Sequence, residues 1–306
     1  MEQTKALIVF CEGKHDVAFC RLVFKHFFAV DKNKKLKFSQ YPSPLNKLFK
    51  TNMTKHAVQD MSLDMAHKFF LPDSTYIKDD WLFLLFDAGG KDKTENPQQF
   101  LYDFLVLMDK ESASTFREDA PSVIADVKYL FLFDADHKKP GAICKEFERN
   151  YSEIETPQKE KKIWLKDSLI PVKENSFAAI SEDKAVYVWA DSVNQTGTLE
   201  EHLLPLFEAD QKELTKKSTL FIDGTFPWET DHKENEKAIA ETSRRKKAII
   251  TALGQREKPG SSMNVIIDQA KLLSVDTLWK SKPVRDFAEF LSRFTGIELA
   301  SPKMPL

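Results

Sequence analysis

The chain has 306 residues, of which 42% are hydrophobic and 30% are charged, and its formal net charge is −2. This composition is typical of a globular protein, and the near-neutral charge excludes a chain that attracts nucleic acid over its whole surface. The three cysteines have no C-x-x-C spacing, which argues against a structural zinc site and favours reduced thiols in the cytoplasm. No apolar stretch approaches the ~20 residues of a membrane helix, and the first apolar run is too short for a signal peptide.

The first half of the chain alternates predicted strands with predicted helices. Residues 6–11 form a continuous apolar run, which is typical of a strand buried on both faces, and residues 16–28 follow with a helical apolar face. Residues 36–40 are a weaker strand candidate, and residues 41–80 are interpreted as an insertion of short helices and loops. The same order then repeats, with a strand at 81–86 and a helix at 97–108.

The second half continues this pattern and then becomes helical. A third strand is predicted at 129–133 and leads into a short stretch at 143–151, and a fourth is predicted at 185–190, followed by a helical segment at 199–207. Residues 1–210 are therefore predicted to be an α/β core, with a parallel sheet covered by helices on both faces. Residues 211–306 are predicted to be a mainly helical C-terminal region packed on this core, with helices at 233–253, 265–273 and 285–294.

Acidic residues follow the predicted strands where each strand ends. In chain order they are Glu12, Asp16, Asp87, Asp134, Asp136, Asp191 and Glu200. Because ligands of open α/β sheets bind beyond the carboxyl ends of the strands, these side chains are expected to meet at one edge of the sheet. The two-residue spacing of Asp134 and Asp136 is expected to turn both carboxylates toward that edge.

Each of these acidic residues, taken alone, is more typical of a turn or a helix cap, and their joint order is what favours a metal site. Several carboxylates in one small space repel each other, which raises their pKa values unless a cation is bound. Oxygen-only ligands suit Mg²⁺, Mn²⁺ or Ca²⁺ rather than zinc. Two such cations can stabilise the attacking and leaving oxygens of a phosphodiester displacement, so the pattern predicts Mg²⁺- or Mn²⁺-dependent hydrolysis.

The acidic motifs resemble those of a known fold. The run A-L-I-V-F-C-E-G-K-H-D at residues 6–16 and the run L-F-D-A-D at residues 132–136 look like the first motif and the Asp-x-Asp motif of the Toprim fold. Together with the G-G-K turn at residues 89–91, they are similar to the Toprim domains of OLD-family (overcoming lysogenisation defect) nucleases. The resemblance implies a Toprim-like Rossmannoid core, in which residues 41–80 have no counterpart.

The resemblance also implies roles for individual residues. Glu12 would bind metal or act as the general acid/base, and Lys91 would contact phosphate. OLD-type nucleases use a C-terminal lysine to stabilise the transition state, and Lys247 or Lys258 would match it. The implied metal ligands are Glu12, Asp16, Asp134, Asp136 and Glu200, and the implied catalytic set is Glu12, Asp134, Asp136 and Lys247.

The expected partners are a nucleic acid and a second protein. Arg244, Arg245 and Lys246 lie beside Lys247 in a predicted helix and are the best candidates for further phosphate contacts. Neither DNA nor RNA is favoured, and an effector that kills infected cells could cut tRNA. OLD-family chains fuse Toprim to an ABC-type ATPase, but this sequence has no G-x-x-x-x-G-K-[ST] loop. The resemblance therefore implies a separate ATPase, as in PARIS-type anti-phage systems, and it allows a homodimer.

Two other functions stay open. An apolar strand followed by Asp-x-Asp also begins phosphatases of the haloacid-dehalogenase type, but those usually place Gly-Thr or a similar pair after the second Asp, where this chain has His137-Lys138. The other alternative is a Toprim-like scaffold that binds a partner without catalysis. The near-neutral charge permits a scaffold, whereas the complete acidic set argues against one.

Overall fold

A computed structural model describes residues 2–30, 35–57, 70–90, 92–113, 122–155, 161–173, 175–225 and 236–300. The strands within these ranges are β1 (Glu2–Cys11), β2 (Ser74–Lys78), β3 (Trp81–Asp87), β4 (Ser122–Asp134), β5 (Glu153–Glu155), β6 (Lys161–Ile163), β7 (Ile170–Val172), β8 (Asn175–Ser181) and β9 (Lys184–Trp189). The helices are α1 (Lys14–Phe27), α2 (Leu45–Ala57), α3 (Glu95–Ala113), α4 (Pro140–Tyr151), α5 (Glu200–Asp210), α6 (Lys212–Thr225), α7 (Glu236–Gly254), α8 (Met263–Gln269), α9 (Val275–Lys280) and α10 (Lys282–Thr295).

Seven of the described strands form one sheet in the order β2-β3-β1-β4-β9-β8-β7. The four central strands, β3, β1, β4 and β9, run parallel to each other. The edge strands β2, β8 and β7 are antiparallel to their neighbours, and β5 and β6 form a separate antiparallel pair. This mostly parallel sheet with helices around it confirms the predicted Rossmann-like α/β fold, and its four central strands are those that the apolar runs predict.

Each central strand contributes to two hydrophobic cores, because successive side chains of a strand point to opposite faces of the sheet. Leu7 and Val9 of β1 belong to the core on the α1 face, whereas Ile8 and Phe10 belong to the core on the face covered by α2, α3 and α4. Strands that are buried on both faces need apolar residues at every position. The continuous apolar runs in the sequence follow from this double burial.

Several segments differ from the sequence prediction. Residues 36–40, predicted as a weak strand, contain a 3-10 helix at Phe38–Gln40 instead. The insertion at residues 41–80 contains helix α2, as expected, but it also supplies the edge strand β2. The sequence predicts neither the helices α6 and α9 nor the strands β5 to β8. The strands β5, β6 and β7 have three residues each, which is too few to show a clear period. Ile170 in β7, for example, is exposed.

The C-terminal helices pack on the α1 face of the sheet. Ile250 of α7, Met263 of α8 and Phe287 of α10 lie in the same core as the buried residues of α1. Helices α7 and α8 approach so closely that a Cβ atom on Gly254 would lie 2.4 Å from the side chain of Ile266. The predicted boundary between residues 210 and 211 falls between α5 and α6, and the division into two domains stays a prediction.

The connections between the central strands leave a crevice at one edge of the sheet. The chain passes from β1 to β3 on one side and then returns past β1 to β4 on the other side. At such a switch point the following helices cover opposite faces, here α1 after β1 and α4 after β4, and a ligand can enter between them. No helix in the described part of the chain has both the length and the apolar character needed to cross a lipid bilayer.

Candidate active site

A cavity of about 300 Å³ lies at this crevice. Five separate stretches of the chain contribute to it: the segment after β1, the loop after β3, the end of β4, the start of α5 and the middle of α7. Its lining residues are Glu12, Gly13, Lys14, His15, Asp16, Gly89, Gly90, Asp134, Leu199, Glu200 and Lys247. The structure therefore brings together residues that the sequence predicts as metal ligands although they lie as far apart as positions 12 and 200.

Asp16 enters the cavity from the first turn of α1. The helix begins at Lys14, directly after the extended residue Gly13, whose backbone N–H donates a hydrogen bond to Asp16 Oδ2 at 2.9 Å. The side chain is only 4% exposed, yet its Oδ1 atom has no hydrogen-bond partner among the described residues. A buried carboxylate oxygen without a donor is costly, and a bound cation is one way to satisfy it.

Glu12 connects the ends of β1 and β4. Its backbone N–H continues the strand ladder by donating to the carbonyl of Leu132 at 3.1 Å. Its side-chain Oε2 atom accepts a hydrogen bond from the backbone N–H of Asp134 at 2.9 Å. Its carbonyl accepts from Gly90 at 2.8 Å, which ties the loop after β3 to the same point. The Glu12 carboxylate is thus held at the centre of the crevice.

Asp134 and Asp136 do not take equivalent positions. Asp134 is the last residue of β4 and lines the cavity, where its Oδ1 atom accepts a hydrogen bond from the backbone N–H of Leu199 at 2.8 Å. Asp136 follows the end of the strand, has a φ of 51° and pairs through its backbone with Gly197. Asp136 is not among the lining residues. The strand alternation behind the prediction ends at Asp134, so it does not carry Asp136 into the cavity, and the metal-binding role of Asp136 stays a prediction.

Glu200 is the most completely buried of the carboxylates, at 1% exposure. Its Oε2 atom accepts a hydrogen bond from the hydroxyl of Thr198 at 2.7 Å, and its Oε1 atom lies 3.2 Å from Nδ1 of His15. The ammonium of Lys247 lies 3.7 Å from the same Oε1 atom. The Thr198 hydroxyl also lies 3.2 Å from that of Ser243, one helical turn before Lys247 in α7. These contacts join the start of α5 to α7.

The electrostatics of the cavity separate Glu200 from the other carboxylates. Burial raises the pKa of Asp16 well above its ordinary value, and the charge of Glu12 adds to this rise. Burial likewise raises the pKa of Asp134 well above the ordinary value, with the charges of Asp16 and Glu12 adding to it. Burial acts in the same direction on Glu200, but the contacts with His15, Lys247 and Thr198 outweigh it and lower the pKa. Without a cation, the Asp16 and Asp134 side of the cavity therefore disfavours ionised carboxylates, whereas the contacts of Glu200 favour its ionised form.

The cavity fits a divalent cation in its chemistry, but its ligands are not yet arranged around one point. In the described part of the chain, no three His, Cys, Asp or Glu side chains form a group that could hold a metal ion as they stand. Glu12 and Asp134 direct oxygens toward backbone N–H groups instead. The all-oxygen set and the unpartnered Oδ1 of Asp16 match a hard cation such as Mg²⁺. Binding a cation here would require some of these carboxylates to rotate.

Three of the four predicted substrate-binding residues do not line the cavity. Lys91 lies outside the described residues. In α7, Arg244 is exposed, Arg245 forms a two-bonded ion pair with Asp223, and Lys246 pairs with Glu201. Among these α7 cations, only Lys247 lines the cavity. The substrate-binding roles of Lys91, Arg244, Arg245 and Lys246 stay predictions.

Two of the carboxylates after strands cap turns. Asp87 Oδ1 accepts a hydrogen bond from the N–H of Gly89 at 2.8 Å. Asp191 Oδ1 accepts from Val193 and Asn194, and these N–H groups lower the pKa of Asp191. Both arrangements are ordinary Asx turns. These two residues therefore have the local roles that are typical of an isolated acidic residue.

Lys14 and His15 line the cavity, although the sequence motifs predict no role for either residue. They precede Asp16 in the first turn of α1, and His15 contacts Glu200 directly. The available signal is Gly13, an extended residue placed between a strand end and a helix start. The first turn after such a junction faces the carboxyl edge of the sheet, so each of its polar residues is a candidate for the site.

Comparisons with known proteins leave the family open. No family model matches this chain, and no curated protein matches it. The chain is similar in structure to a hypothetical protein from Pyrococcus horikoshii OT3, with 12% sequence identity and a TM-score of 0.42, over 96% of this chain and 100% of that chain. A similarity at this level carries no information about activity.

Proposed function

We propose that this chain is a Mg²⁺- or Mn²⁺-dependent nuclease whose active site is the cavity at the ends of β1 and β4. The observation that carries the proposal is the buried carboxylate of Asp16, which has an oxygen without a partner and lies in a cavity shared with Glu12, Asp134 and Glu200. Four carboxylates from distant parts of a chain are costly to bring together. Such a cost persists in a folded protein when a ligand offsets it, and a hard cation is the ligand that carboxylate oxygens select.

The residues that would hold the cation are Glu12, Asp16, Asp134 and Glu200, and Asp136, which is also a predicted ligand, would join them only if the segment after β4 moved. A divalent cation held by these residues would make water more acidic and would offset the negative charge of the phosphoryl group. Lys247 is the one lining residue on α7, and its ammonium lies 3.7 Å from Glu200. It would place a fixed positive charge beside the negative charge that develops in phosphodiester hydrolysis. Glu12, at the centre of the crevice, would accept the proton of the attacking water.

The biological setting belongs to the same proposal and rests on the motif resemblance. A Toprim-like core of the OLD type, without an ATPase of its own, would act with a separate ABC-type ATPase in a PARIS-like anti-phage system. Its substrate would be DNA or RNA, tRNA included, and it would act in the cytoplasm, with a homodimer as the expected assembly. The three cysteines, which are free thiols, agree with that compartment.

The residues that share the cavity with Asp134 favour the nuclease over the phosphatase alternative. In phosphatases of the haloacid-dehalogenase type the first aspartate of Asp-x-Asp is the nucleophile, and the motif stands near the start of the core. Here Glu12 and Asp16, which come long before Asp134 in the chain, line the same cavity, as does Glu200.

The proposal is tested by incubating the chain with mixed DNA and RNA in Mg²⁺, in Mn²⁺ and in a chelator. We expect cleavage in either metal and none in the chelator. The Glu12→Gln variant, which keeps a side-chain acceptor for the N–H of Asp134, is expected to lose about 10³-fold or more in rate. The matched control is Glu208→Gln, because Glu208 is exposed on α5 and does not line the cavity.

The same variants are also compared by thermal unfolding with and without the divalent cations. We expect Mg²⁺ or Mn²⁺ to raise the melting temperature of the wild type and of Glu208→Gln, because a ligand that binds the folded state stabilises it. The absence of both cleavage and this rise would contradict the nuclease proposal and favour the scaffold alternative.

A further inference from the structure

Two lysines border the cavity on the side of the loop after β3, and the nuclease proposal gives neither of them a role. Lys14 is exposed and lines the cavity. Lys93 is exposed and folds back over that loop, so that its ammonium nitrogen lies 4.0 Å from the position that a Cβ atom on Gly89 would occupy. Gly89 and Gly90 both line the cavity. Both lysines therefore lie at the cavity rim on the β3 side.

The backbone fixes the position of this rim relative to the carboxylates. The N–H of Lys93 donates to the carbonyl of Gly90 at 3.1 Å, and the N–H of Gly90 donates to the carbonyl of Glu12 at 2.8 Å. Gly89 and Gly90 have φ values of 79° and 124°, which side-chain-bearing residues rarely adopt. A short chain of hydrogen bonds thus links Lys93 to Glu12, a member of the acidic cluster directly after β1.

These two lysines differ from the cations of α7 in their pairing. Lys246 and Arg245 are each held by a carboxylate, Glu201 and Asp223 respectively. Among the described residues, neither Lys14 nor Lys93 forms an ion pair. The charge of Lys14 does act on Asp73, whose pKa burial raises and Lys14 lowers, and this places Lys14 toward β2 and β3. No carboxylate of the described residues thus competes with an external anion through an ion pair to either ammonium group.

The composition of the cavity indicates which part of a nucleic acid it contacts. Among the described lining residues there is no Phe, Tyr or Trp, and the one ring, the imidazole of His15, contacts Glu200. Leu199 is the one large apolar residue among them. Proteins that hold single-stranded bases do so by stacking them on aromatic side chains, whereas lysines contact phosphates. The cavity therefore has the groups to bind a sugar-phosphate backbone and lacks a stacking platform for bases.

We propose that Lys14 and Lys93 bind a phosphate next to the scissile phosphodiester, on the side of the cavity opposite Lys247, so that the chain grips nucleic-acid backbone without regard to base sequence. The sheet order supports the opposition, because Lys93 follows β3, whereas Glu200, the contact of Lys247, follows β9, on the other side of β1 and β4. This inference rests on the proposed nuclease function. Because the net charge is −2, no general attraction adds to these contacts, and binding depends on a few lysines.

The test measures binding separately from cleavage. Fluorescein-labelled oligonucleotides, as random-sequence single-stranded DNA and RNA, are titrated with the wild-type chain in Ca²⁺, and affinity is followed by fluorescence polarisation over a range of salt concentrations. For Lys14→Ala and Lys93→Ala we expect affinity to fall about fivefold to tenfold at low salt, equally for all sequences, with the salt slope reduced by about 1 for each lysine. The matched control is Lys217→Ala, an exposed lysine of α6 that does not line the cavity.

Each outcome decides the inference. Loss of affinity in the two rim variants, with wild-type affinity in Lys217→Ala, supports the phosphate contact. Unchanged affinity and an unchanged salt slope in both rim variants overturn it, as does a wild type that binds neither oligonucleotide in Ca²⁺. Cleavage in Mg²⁺ or Mn²⁺ is measured on the same samples. A chain that cleaves but whose rim variants bind normally keeps its nuclease function and loses the phosphate contact at Lys14 and Lys93.

Discussion

The two acidic motifs of the chain, one after β1 and one after β4, begin alike and end differently. After β1, the chain enters a helix two residues beyond Glu12, and Asp16 in the first helical turn faces the same cavity as Glu12. After β4, the chain continues into a turn with positive φ at Asp136, and only Asp134 stays in the cavity. Both motifs offer two carboxylates in sequence, but the first presents two to the cavity and the second presents one.

The difference shows that the spacing of two residues in a motif determines whether their side chains point to the same side only when the backbone conformation between them is known. In a strand, residues two apart share a side, and this rule stops applying at the residue where the strand ends. At a junction of strand and helix, residues four apart can share a side because the helix begins between them. A carboxylate just beyond a strand end is thus placed by the turn that follows and not by the strand.

The largest expected effect on the cleavage rate separates the two aspartates of the second motif, Asp134 and Asp136. Asp134→Asn is expected to reduce metal-dependent cleavage by about 100-fold, since it neutralises a cavity carboxylate while keeping its size. Asp136→Asn is expected to change the rate by less than about threefold, because the residue lies outside the cavity and Asn also tolerates positive φ. Single-turnover cleavage rates at saturating metal measure both.

Equal losses in the two variants would contradict this assignment. They would show that the segment after β4 moves when metal or substrate binds and brings Asp136 to the site. The Asp134→Asn variant also needs a stability check by thermal unfolding, because Asp134 accepts the N–H of Leu199 at the start of α5. An Asn side-chain oxygen can keep that hydrogen bond.

The second prediction concerns stability and uses Asp16. The pKa of Asp16 is raised in the folded state. At pH values between about 4, the ordinary pKa of Asp, and this raised pKa, Asp16 is therefore protonated in the folded chain and ionised in the unfolded chain. In a chelator the free energy of unfolding should therefore fall as pH rises through that window. Asp16→Asn removes this penalty and is expected to stabilise the metal-free chain at neutral pH by about 1–2 kcal/mol.

Urea unfolding at several pH values, in a chelator and in Mg²⁺, measures this effect. The wild type should gain stability from Mg²⁺, and the Asp16→Asn variant should gain much less, because it lacks the buried charge. Glu200 supplies an internal contrast, since its pKa is lowered and its contribution is lost only when the pH falls through that lowered value. If Asp16→Asn had a lower free energy of unfolding than the wild type in the chelator at neutral pH, the predicted cost of the buried Asp16 carboxyl would be contradicted.

The smallest predicted effect concerns the hydroxyls that orient Glu200. Thr198→Val replaces the donor at 2.7 Å from Glu200 Oε2 by a methyl group of similar size, and Thr198 is buried. We expect kcat to fall about fivefold, equivalent to the ~1 kcal/mol of one hydrogen bond, with KM for the oligonucleotide unchanged. Ser243→Ala, which loses only the 3.2 Å contact with Thr198, should have a smaller effect.

The conservative variant Thr198→Ser keeps the hydroxyl and is expected to restore the rate. A rise in KM instead of a fall in kcat would place Thr198 in substrate binding and would remove its positioning role. Metal affinity, followed by Mn²⁺ titration, should fall in Thr198→Val and return in Thr198→Ser, because only the hydroxyl orients the carboxylate.

The central sheet was predictable from sequence because its four parallel strands are buried on both faces, which leaves an unbroken apolar run for each. The edge strands β2 and β7 were not predictable, because each has a neighbouring strand on one side only and needs fewer apolar residues. Ile170 in β7 is exposed, and β7 is only three residues long. Order within the sheet came from pairing between strands, which a single run of residues does not encode.

The sequence predicted which residues line the cavity better than it predicted how their side chains are arranged. Glu12, Asp16 and Asp134 follow predicted strands, and the fold rule that ligands lie beyond strand ends is enough to select them. Lys247 depended on the motif resemblance, since nothing local separates it from Lys246, which pairs with Glu201. Lys93 carried no sequence signal, because its place at the rim depends on where the loop after β3 folds. Lys14 had a signal in Gly13, which marks the junction of β1 and α1 beside the strand ends.

The side-chain bond from Glu12 to the N–H of Asp134 has a consequence for how the site opens. The N–H of Asp134 has a carboxylate as its acceptor, whereas the N–H of Glu12 still follows the ladder to Leu132. The last rung between β1 and β4 is therefore made by a side chain that can rotate. If Glu12 turns toward a cation, the Asp134 amide loses its acceptor, and its hydrogen exchange should accelerate. That single amide would then be a spectroscopic reporter of metal entry.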